Sequence, residues 1–484
     1  PRGDGWSRFD HRGGRAPGGG AGHHGAVTRH VVVIGGGIAG LAAAHRITRD
    51  APDTAVTVLD QGDRPGGKLR TAEAGGVTVE TAAEAFLVRR PEALDLAAEV
   101  GLAGELIHPR TLAASVATGA GLRPLPAGTL MGIPRSLDGL AGLLSPAALA
   151  VVGSEPDRPG DPVAEDVSIG AYARERLGAE LVRNLVDPLL GGVYAGRAEG
   201  LSLHATVPGL AGPLREHPSL VRAARAAFSP GNGGPVFATV RGGLGRFASA
   251  VAAASKADVR LGVTARELHR TTSGWRIVTG PVPDPREITA DAVVLAVPAP
   301  AAARLLAHVG PAAAAELAGI GYASIALVTL VLPASASLPP GSGALIPAGE
   351  GHLVKAVTFS SQKWGTGDGL SVVRASIGRY GEEHELQHPD EVLSARARDE
   401  LSRLFGTPLP DPLDTRVDRW GGALPQYAVG HLGRIRRARA ALAAEPTLAL
   451  AGAAYDGVGI PACIASGQSA AAQITAALTR GEAR

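Results

Sequence analysis

The chain has 484 residues, 45% of them hydrophobic, with a formal net charge of +2; that is more chain than one ordinary core needs, so two or three domains are expected. The near balance of acids and bases excludes a dedicated nucleic-acid binder, which carries a basic stripe. The single cysteine, Cys463, excludes an intrachain disulfide and fits a reducing, cytoplasmic setting.

No apolar run is long enough for a membrane-spanning helix; the most apolar stretch, Gly139 to Gly153, is broken by Ser145 and Pro146. The N-terminus lacks the apolar segment of a signal peptide. The basic residues are almost all arginine, with lysine only at Lys68, Lys256, Lys355 and Lys363; with so much Ala and Gly, this reads as genomic composition rather than an anion-binding role.

Residues 1–29, rich in Gly, Arg and His, lack apolar periodicity and are expected to be a disordered tail, with His23 and His24 solvated rather than metal-bound. Order is expected from His30. Val31–Ile34 is a continuous β-branched run, the mark of a strand buried on both faces. Ala39 to Ile47 reads as a helix and Val56 to Leu59 as a second buried strand. Residues 92–104 look helical, and 129–190 mostly helical around a loop from Ser154 to Pro162. Met131 to Val152 is expected to form an amphipathic helical flap. From Val236 the pattern returns to α/β: a helix over Leu244–Ala254, hairpin strands over Val259–Leu268 and Trp275–Thr279, and a buried strand over Ala292–Val297. The stretches Ile325–Leu332, Leu353–Phe359 and Ser371–Ile377 are β-rich and widely spaced, as in a mixed or antiparallel sheet. Leu448–Ala451 is a last buried strand and Ile460–Leu478 a final helix.

Gly35, Gly37 and Gly40 form G-x-G-x-x-G between the first strand and first helix. The first glycine allows the tight turn, the second lets the backbone approach a pyrophosphate, and the third lets helix pack on strand. The N–H groups of Ile38 and Ala39 then open the helix toward phosphates. Asp60, 20 residues after Gly40, ends the second strand where a carboxylate meets ribose hydroxyls, with Gln61 beside it. Strand, glycines, helix and acid together point to a dinucleotide. NAD and FAD share this motif. The loop Asp63-Arg64-Pro65-Gly66-Gly67-Lys68 follows at once; Gly67 allows close approach to a ligand, and Arg64 or Lys68 can meet phosphates. It resembles the D-R-x-G-G-[RK] signature of flavoproteins related to amine oxidases and favours FAD. Near the C-terminus, Gly452 to Pro461 reads as a strand end, a Gly-rich turn and a helix start, with Gly459 and Ile460 where a helix dipole would stabilise a reduced flavin by about 0.5–1 kcal/mol.

Together these residues resemble the bacterial protoporphyrinogen/coproporphyrinogen III oxidases from His30 to Leu478. The most specific blocks are Gly191-Gly192-Val193-Tyr194-Ala195-Gly196 with Leu201-Ser202, and Tyr455-Asp456-Gly457-Val458-Gly459-Ile460-Pro461-Ala462-Cys463-Ile464 with Ser466-Gly467; Ala85 to Pro91, Arg241 to Leu244 and Ala296 to Pro298 add to them. The resemblance implies an α/β fold: a discontinuous Rossmann-like FAD-binding domain (30–89, 232–299, 443–484), a mixed-sheet substrate domain (90–105, 200–231, 300–442) and a helical subdomain (106–199). It implies oxidation of coproporphyrinogen III to coproporphyrin III in haem biosynthesis, six electrons in three two-electron steps, with O2 as acceptor and H2O2 as product. Protoporphyrinogen IX, or an amine or carotenoid as in sister families, is the alternative substrate, and a non-enzymatic binding protein on the same fold the remaining reading. The chain departs from many relatives in having Asp60 for Glu and Ala82-Ala83 for Gly-Pro; if close approach to the flavin ring needs glycine, Ala82 shifts that contact. Ala82, Ala83 and Glu84 are placed beside the ring, and the backbone of Val263 beside the adenine.

Porphyrinogens carry propionates, so cations are expected at the pocket mouth, and Arg89 and Arg90 suit bidentate contact with carboxylates. Gly192 and Tyr194 are expected on a loop near the substrate. No Ser/His/Asp triad, metal cluster or paired carboxylate stands out, and His204, His352 and His431 read as structural. No side chain is assigned as catalytic, because a flavin accepts the hydride while the protein positions reactants. Beyond porphyrinogen and O2, the expected partners are transient: a downstream ferrochelatase or a membrane surface.

Overall fold

The computed structural model describes residues 29–228, 234–348 and 351–482. The expected tail therefore lies outside the described residues, except for Arg29. The Arg29 carbonyl accepts the Ala55 N–H at 2.8 Å, just before the first strand pair.

The nucleotide-type core is a five-stranded parallel sheet. Its strands are β1 (His30–Ile34), β2 (Ala55–Leu59), β3 (Asp258–Arg260), β4 (Ala292–Leu295) and β5 (Leu448–Leu450), in the order β3-β2-β1-β4-β5. Every neighbouring pair is parallel, with Val31 opposite both Val56 and Ala292. The apolar runs are continuous because both faces are covered. Val31 and Val33 pack on α1 (Ile38–Asp50), α2 (Leu244–Ala254) and α3 (Ile460–Glu482), while Val32 and Ile34 face a second cluster. That second cluster includes the helices Ala299–Leu306, Pro311–Ala318 and His431–Ala441, so parts of the 300–442 stretch cover the parallel sheet.

The other large sheet has seven strands, in the order 414–425, 322–332, 371–377, 354–359, 343–345, 114–118, 121–124, antiparallel except where 343–345 runs parallel to 114–118. The helix Asp390–Phe405 covers one face. The hairpin Thr71–Ala74/Val77–Glu80 packs on the other through Val331 and Val372. A third core, around Leu177, Leu185 and Leu210, holds the helical region from Pro146 to Ala226.

Several local expectations are corrected. The stretch 92–104 is a helix only over Glu92–Glu99, because Gly101 takes φ +78° and ends it. Met131–Val152 is no helical flap. Thr129–Leu130 pairs with Ile133–Pro134 around a turn where Met131 and Gly132 both have positive φ, and the helix starts only at Pro146, capped by Ser145. Val259–Leu268 is not one strand either: Gly262, at φ +68°, separates β3 from Ala265–Arg270, which leaves Val263 in the connection.

Candidate functional site

The first wall of the site is the turn from β1 into α1. A side chain at Gly40 would stand 1.9 Å from the Gly35 carbonyl oxygen, so only glycine lets α1 close on the turn. At Gly37 the space is open, with no atom within 4 Å of where a Cβ would lie. Gly37 is also the N-cap of α1 without a side-chain cap, and the first intrahelical bond runs from the Leu41 N–H to the Gly37 carbonyl. The N–H groups of Ile38, Ala39 and Gly40 therefore lack an intrahelical acceptor and face that space.

The second glycine loop closes over the same gap. The Gly66 N–H donates to the Gly36 carbonyl at 2.7 Å, and a Cβ on Gly67 would lie 3.2 Å from the Gly37 Cα. Asp60 ties the two loops together: its carboxylate accepts the Gly36 and Gly62 N–H groups, each at 2.6 Å. It thereby braces the cradle, a role the spacing did not show. Gln61 is exposed beside it.

Lys68 and Arg64 diverge. Lys68 is half-buried, with no carboxylate partner among the described residues, and desolvation pushes its ammonium below the usual lysine range. Arg64 is half exposed and turns outward to the Thr71 carbonyl at 3.3 Å and to Asp63. Of the two cations named for phosphate contact, the structure thus orients Lys68 inward and Arg64 outward. Val263 gives its N–H to the Asp60 carbonyl at 2.8 Å, so any bond from it to an adenine edge falls to its own carbonyl.

The strand-to-strand segment Thr81–Glu84 forms the far end. The Thr81 and Ala83 N–H groups bond the Arg70 and Lys68 carbonyls, which lays the segment beside the second glycine loop. Residues distant in sequence then fix it: the Arg374 guanidinium donates to the Ala82 carbonyl at 2.7 Å, and the Trp420 indole N–H to the Thr81 carbonyl at 2.7 Å. Glu84 is bound by both Lys363 and Arg374. Burial opposes its charge, but these two cations outweigh burial and hold Glu84 below the usual carboxylate range. Glu80, which accepts the Leu244 N–H at 2.6 Å, is pushed up to about 7 by burial. Nothing in the sequence flagged Arg374, Lys363 or Trp420; Arg374 and Trp420 stand on strands of the mixed sheet and Lys363 on the short helix Ser360–Trp364.

The start of α3 is the third wall. A Cβ on Gly467 would stand 2.0 Å from the Ala39 carbonyl oxygen, so α3 packs directly on α1. Gly452, at φ +125°, turns the chain after β5, and its N–H donates to Ser466. The first intrahelical bond of α3 runs from the Cys463 N–H to the Gly459 carbonyl, so the N–H groups around Ile460 open toward the gap. Cys463 is buried, and burial pushes its thiol up to about 11, which makes it inert. His431 stacks on Tyr427 and bonds the Ala454 carbonyl; burial lowers it to about 4, so it is neutral and structural.

The expected substrate residues are less uniform. Gly192 and Tyr194 lie on the helix Asp187–Tyr194 rather than on a loop, because the chain turns only at Ala195, a left-handed C-cap with φ 50°. Gly192 is exposed, whereas the Tyr194 ring is buried against Tyr427 at 5.5 Å between centroids. Tyr427 in turn donates to the Ala453 carbonyl, which links this helix to the Gly-rich turn before α3. Arg89 is exposed, and Arg90 is paired with Glu92 at 2.5 Å.

The open cradle at Gly37, the backbone N–H groups at the starts of α1 and α3, and a half-buried lysine without an acid among the described residues fit a flavin dinucleotide, with an anionic centre between two glycine loops. Comparisons with known proteins agree. The family described as flavin containing amine oxidoreductase matches residues 38–475. A Mycobacterium tuberculosis protein named coproporphyrinogen III oxidase is 39% identical, with 94% of this chain and 99% of that protein covered. A Bacillus subtilis protein of the same name is 30% identical, with 91% and 97% covered. A solved structure from Exiguobacterium sp., provisionally described as a protoporphyrinogen oxidase, superposes with a TM-score of 0.83 at 32% identity, covering 94% of this chain and all of that one. Cyclohexylamine oxidase from Brevibacterium oxydans, at 18% identity and a TM-score of 0.68, shares the fold.

Proposed function

The chain belongs to the flavin containing amine oxidoreductase family, and on that premise we propose that it oxidises coproporphyrinogen III to coproporphyrin III. It is an oxidoreductase with FAD as cofactor. When bound, FAD supplies an acceptor for a hydride, two electrons at a time; three such steps account for the six electrons, and three O2 taken to three H2O2 balance them.

The protein's part is positional. Gly37, the first turn of α1 and Lys68 hold the diphosphate, and Asp60 the ribose. Arg374, through the Ala82 carbonyl and Glu84, fixes the segment beside the ring. The start of α3 faces the same end, and its dipole favours negative charge there. No side-chain base is assigned, since a pyrrole N–H can lose its proton to water. Arg89 and Arg90, and Gly192 and Tyr194 on the helix Asp187–Tyr194, are assigned to the substrate. The three-part division of the chain into FAD-binding, substrate and helical regions belongs to the same reading.

The observation that supports this substrate is the near full-length likeness to mycobacterial proteins named for it. The Exiguobacterium structure favours a second reading, protoporphyrinogen IX. Side-by-side kcat/KM on the two porphyrinogens, with oxygen uptake followed, separates them, and a flavin-loaded protein that oxidises neither refutes both. No helix among the described residues is long and apolar enough to cross a membrane. A cytoplasmic location, with brief contact to a downstream ferrochelatase or a membrane surface, completes the proposal.

A further inference from the structure

The mixed sheet carries a buried lysine that the site above does not use. Where the strand Val354–Phe359 pairs with Ser371–Ile377, Val354 stands opposite Ile377 and Ala356 opposite Ser376, which leaves Lys355 as the extra residue of a β-bulge. Bulges re-aim side chains and gather next to active sites. Along this strand Val357 and Phe359 face the core under the helix Asp390–Phe405. Plain alternation would send residue 355 there too; the bulge turns it over, and its ammonium donates to the Ser376 hydroxyl.

Ser376 lies two residues beyond Arg374 on the same face, roughly 7 Å along the strand. Arg374 is the residue that grips Ala82 and Glu84. The sheet face therefore leads from the segment assigned to the flavin ring directly to Lys355. Over it packs the helix Asp187–Tyr194, with Gly192 against Leu345. Gly192, Val193 and Tyr380 are exposed around this edge.

Lys355 is 5% exposed, and its one hydrogen-bond partner among the described residues is a neutral hydroxyl. The nearby carboxylates are engaged elsewhere: Asp187 accepts the Ala198 N–H, Glu382 holds Arg197, and Glu400 caps the Leu353 and Val354 N–H groups. The closest charge felt by Lys355 is Arg379, of like sign; burial and that guanidinium push the ammonium down to about 7. A buried amine whose charge is opposed by burial and by a like-charged neighbour regains that charge when an anion is brought beside it.

We propose that Lys355 is a carboxylate anchor for the tetrapyrrole, taking one propionate of the substrate between the mixed sheet and the helix Asp187–Tyr194. The inference rests on the porphyrinogen reading and adds to it a residue that distinguishes substrates by their carboxylates.

The test uses the full chain loaded with FAD and titrates coproporphyrin III and its tetramethyl ester by porphyrin fluorescence. Lys355→Met is expected to weaken binding of the acid by roughly ten- to a hundred-fold, to raise KM for coproporphyrinogen III by a like factor with kcat held, and to leave ester binding unchanged. Lys355→Gln keeps a bond to Ser376 without the charge and gives the same comparison if the Met variant does not retain flavin. Wild-type affinity for the acid in the Gln variant, or an equal loss for acid and ester, overturns the anchor while leaving the substrate reading intact. A wild-type protein that binds neither porphyrin and oxidises neither porphyrinogen overturns the substrate reading, and the anchor with it.

Discussion

Gly37→Val separates the cofactor seat from the fold that builds it. Gly37 has φ −69° and ψ 172°, extended backbone open to any residue, and a Cβ there meets no protein atom within 4 Å. The apoprotein should lose about 1 kcal/mol, because glycine outranks valine at an N-cap. The added methyl groups instead fill the space between Gly37 and Gly67 that the diphosphate needs. A ligand present at a hundred times its Kd stabilises by about 2.7 kcal/mol. At roughly 2–4 °C per kcal/mol for a domain of 150–250 residues, FAD should raise the wild-type Tm by ~5–10 °C and that of the variant by almost nothing. The assay is a thermal melt of deflavinated wild type and variant across an FAD titration, with flavin content read from absorbance. An apoprotein Tm only about 2–4 °C below wild type, with no FAD response, is the expected result. A variant that keeps full flavin content and the wild-type shift refutes the placement of the diphosphate.

The remaining predictions concern groups the fold makes sensitive. Gly40→Ala, whose Cβ would stand 1.9 Å from the Gly35 carbonyl oxygen, should destabilise the apoprotein itself by about 1–3 kcal/mol or more, measured by urea unfolding. Glu80, raised by burial to about 7, binds a proton more readily folded than unfolded. Stability tied to it is therefore present at pH 4.5 and lost as pH rises toward and past 7; Glu80→Gln should flatten that decline in denaturation midpoints at pH 5 and pH 8. Arg374→Met strands Glu84 and the Ala82 carbonyl among buried surroundings and should cost about 3–5 kcal/mol; a smaller loss on chemical denaturation would show that Lys363 suffices. Arg90→Ala should raise KM for a porphyrinogen more than it lowers kcat, and steady-state kinetics indistinguishable from wild type would leave Arg90 to its pairing with Glu92 alone.

The sequence by itself determined the β1–turn–α1–β2 unit, the acid after β2, the Gly-rich turn before α3 and the choice of a flavin. Each is a local pattern in which glycines, β-branched runs and spacing act within a few dozen residues. Short-range sterics fix such units before tertiary contacts form. The sequence could not show how the Ala82–Glu84 segment is held. Lys363, Arg374 and Trp420 reach it from 279 to 339 residues away, and no periodicity records that distance. Nor did it show the strand Asp414–Pro425, whose mostly polar residues carry no apolar alternation. The helical flap expected over Met131–Val152 failed because Gly132, Gly139 and Gly142 take positive φ and Pro134 stands between them. Only the tertiary structure decided which of two neighbouring cations, Arg64 or Lys68, turns inward, and which of four lysines a bulge would bury. Those outcomes depend on contacts between segments far apart in the sequence, which select side-chain direction after local structure has already been set.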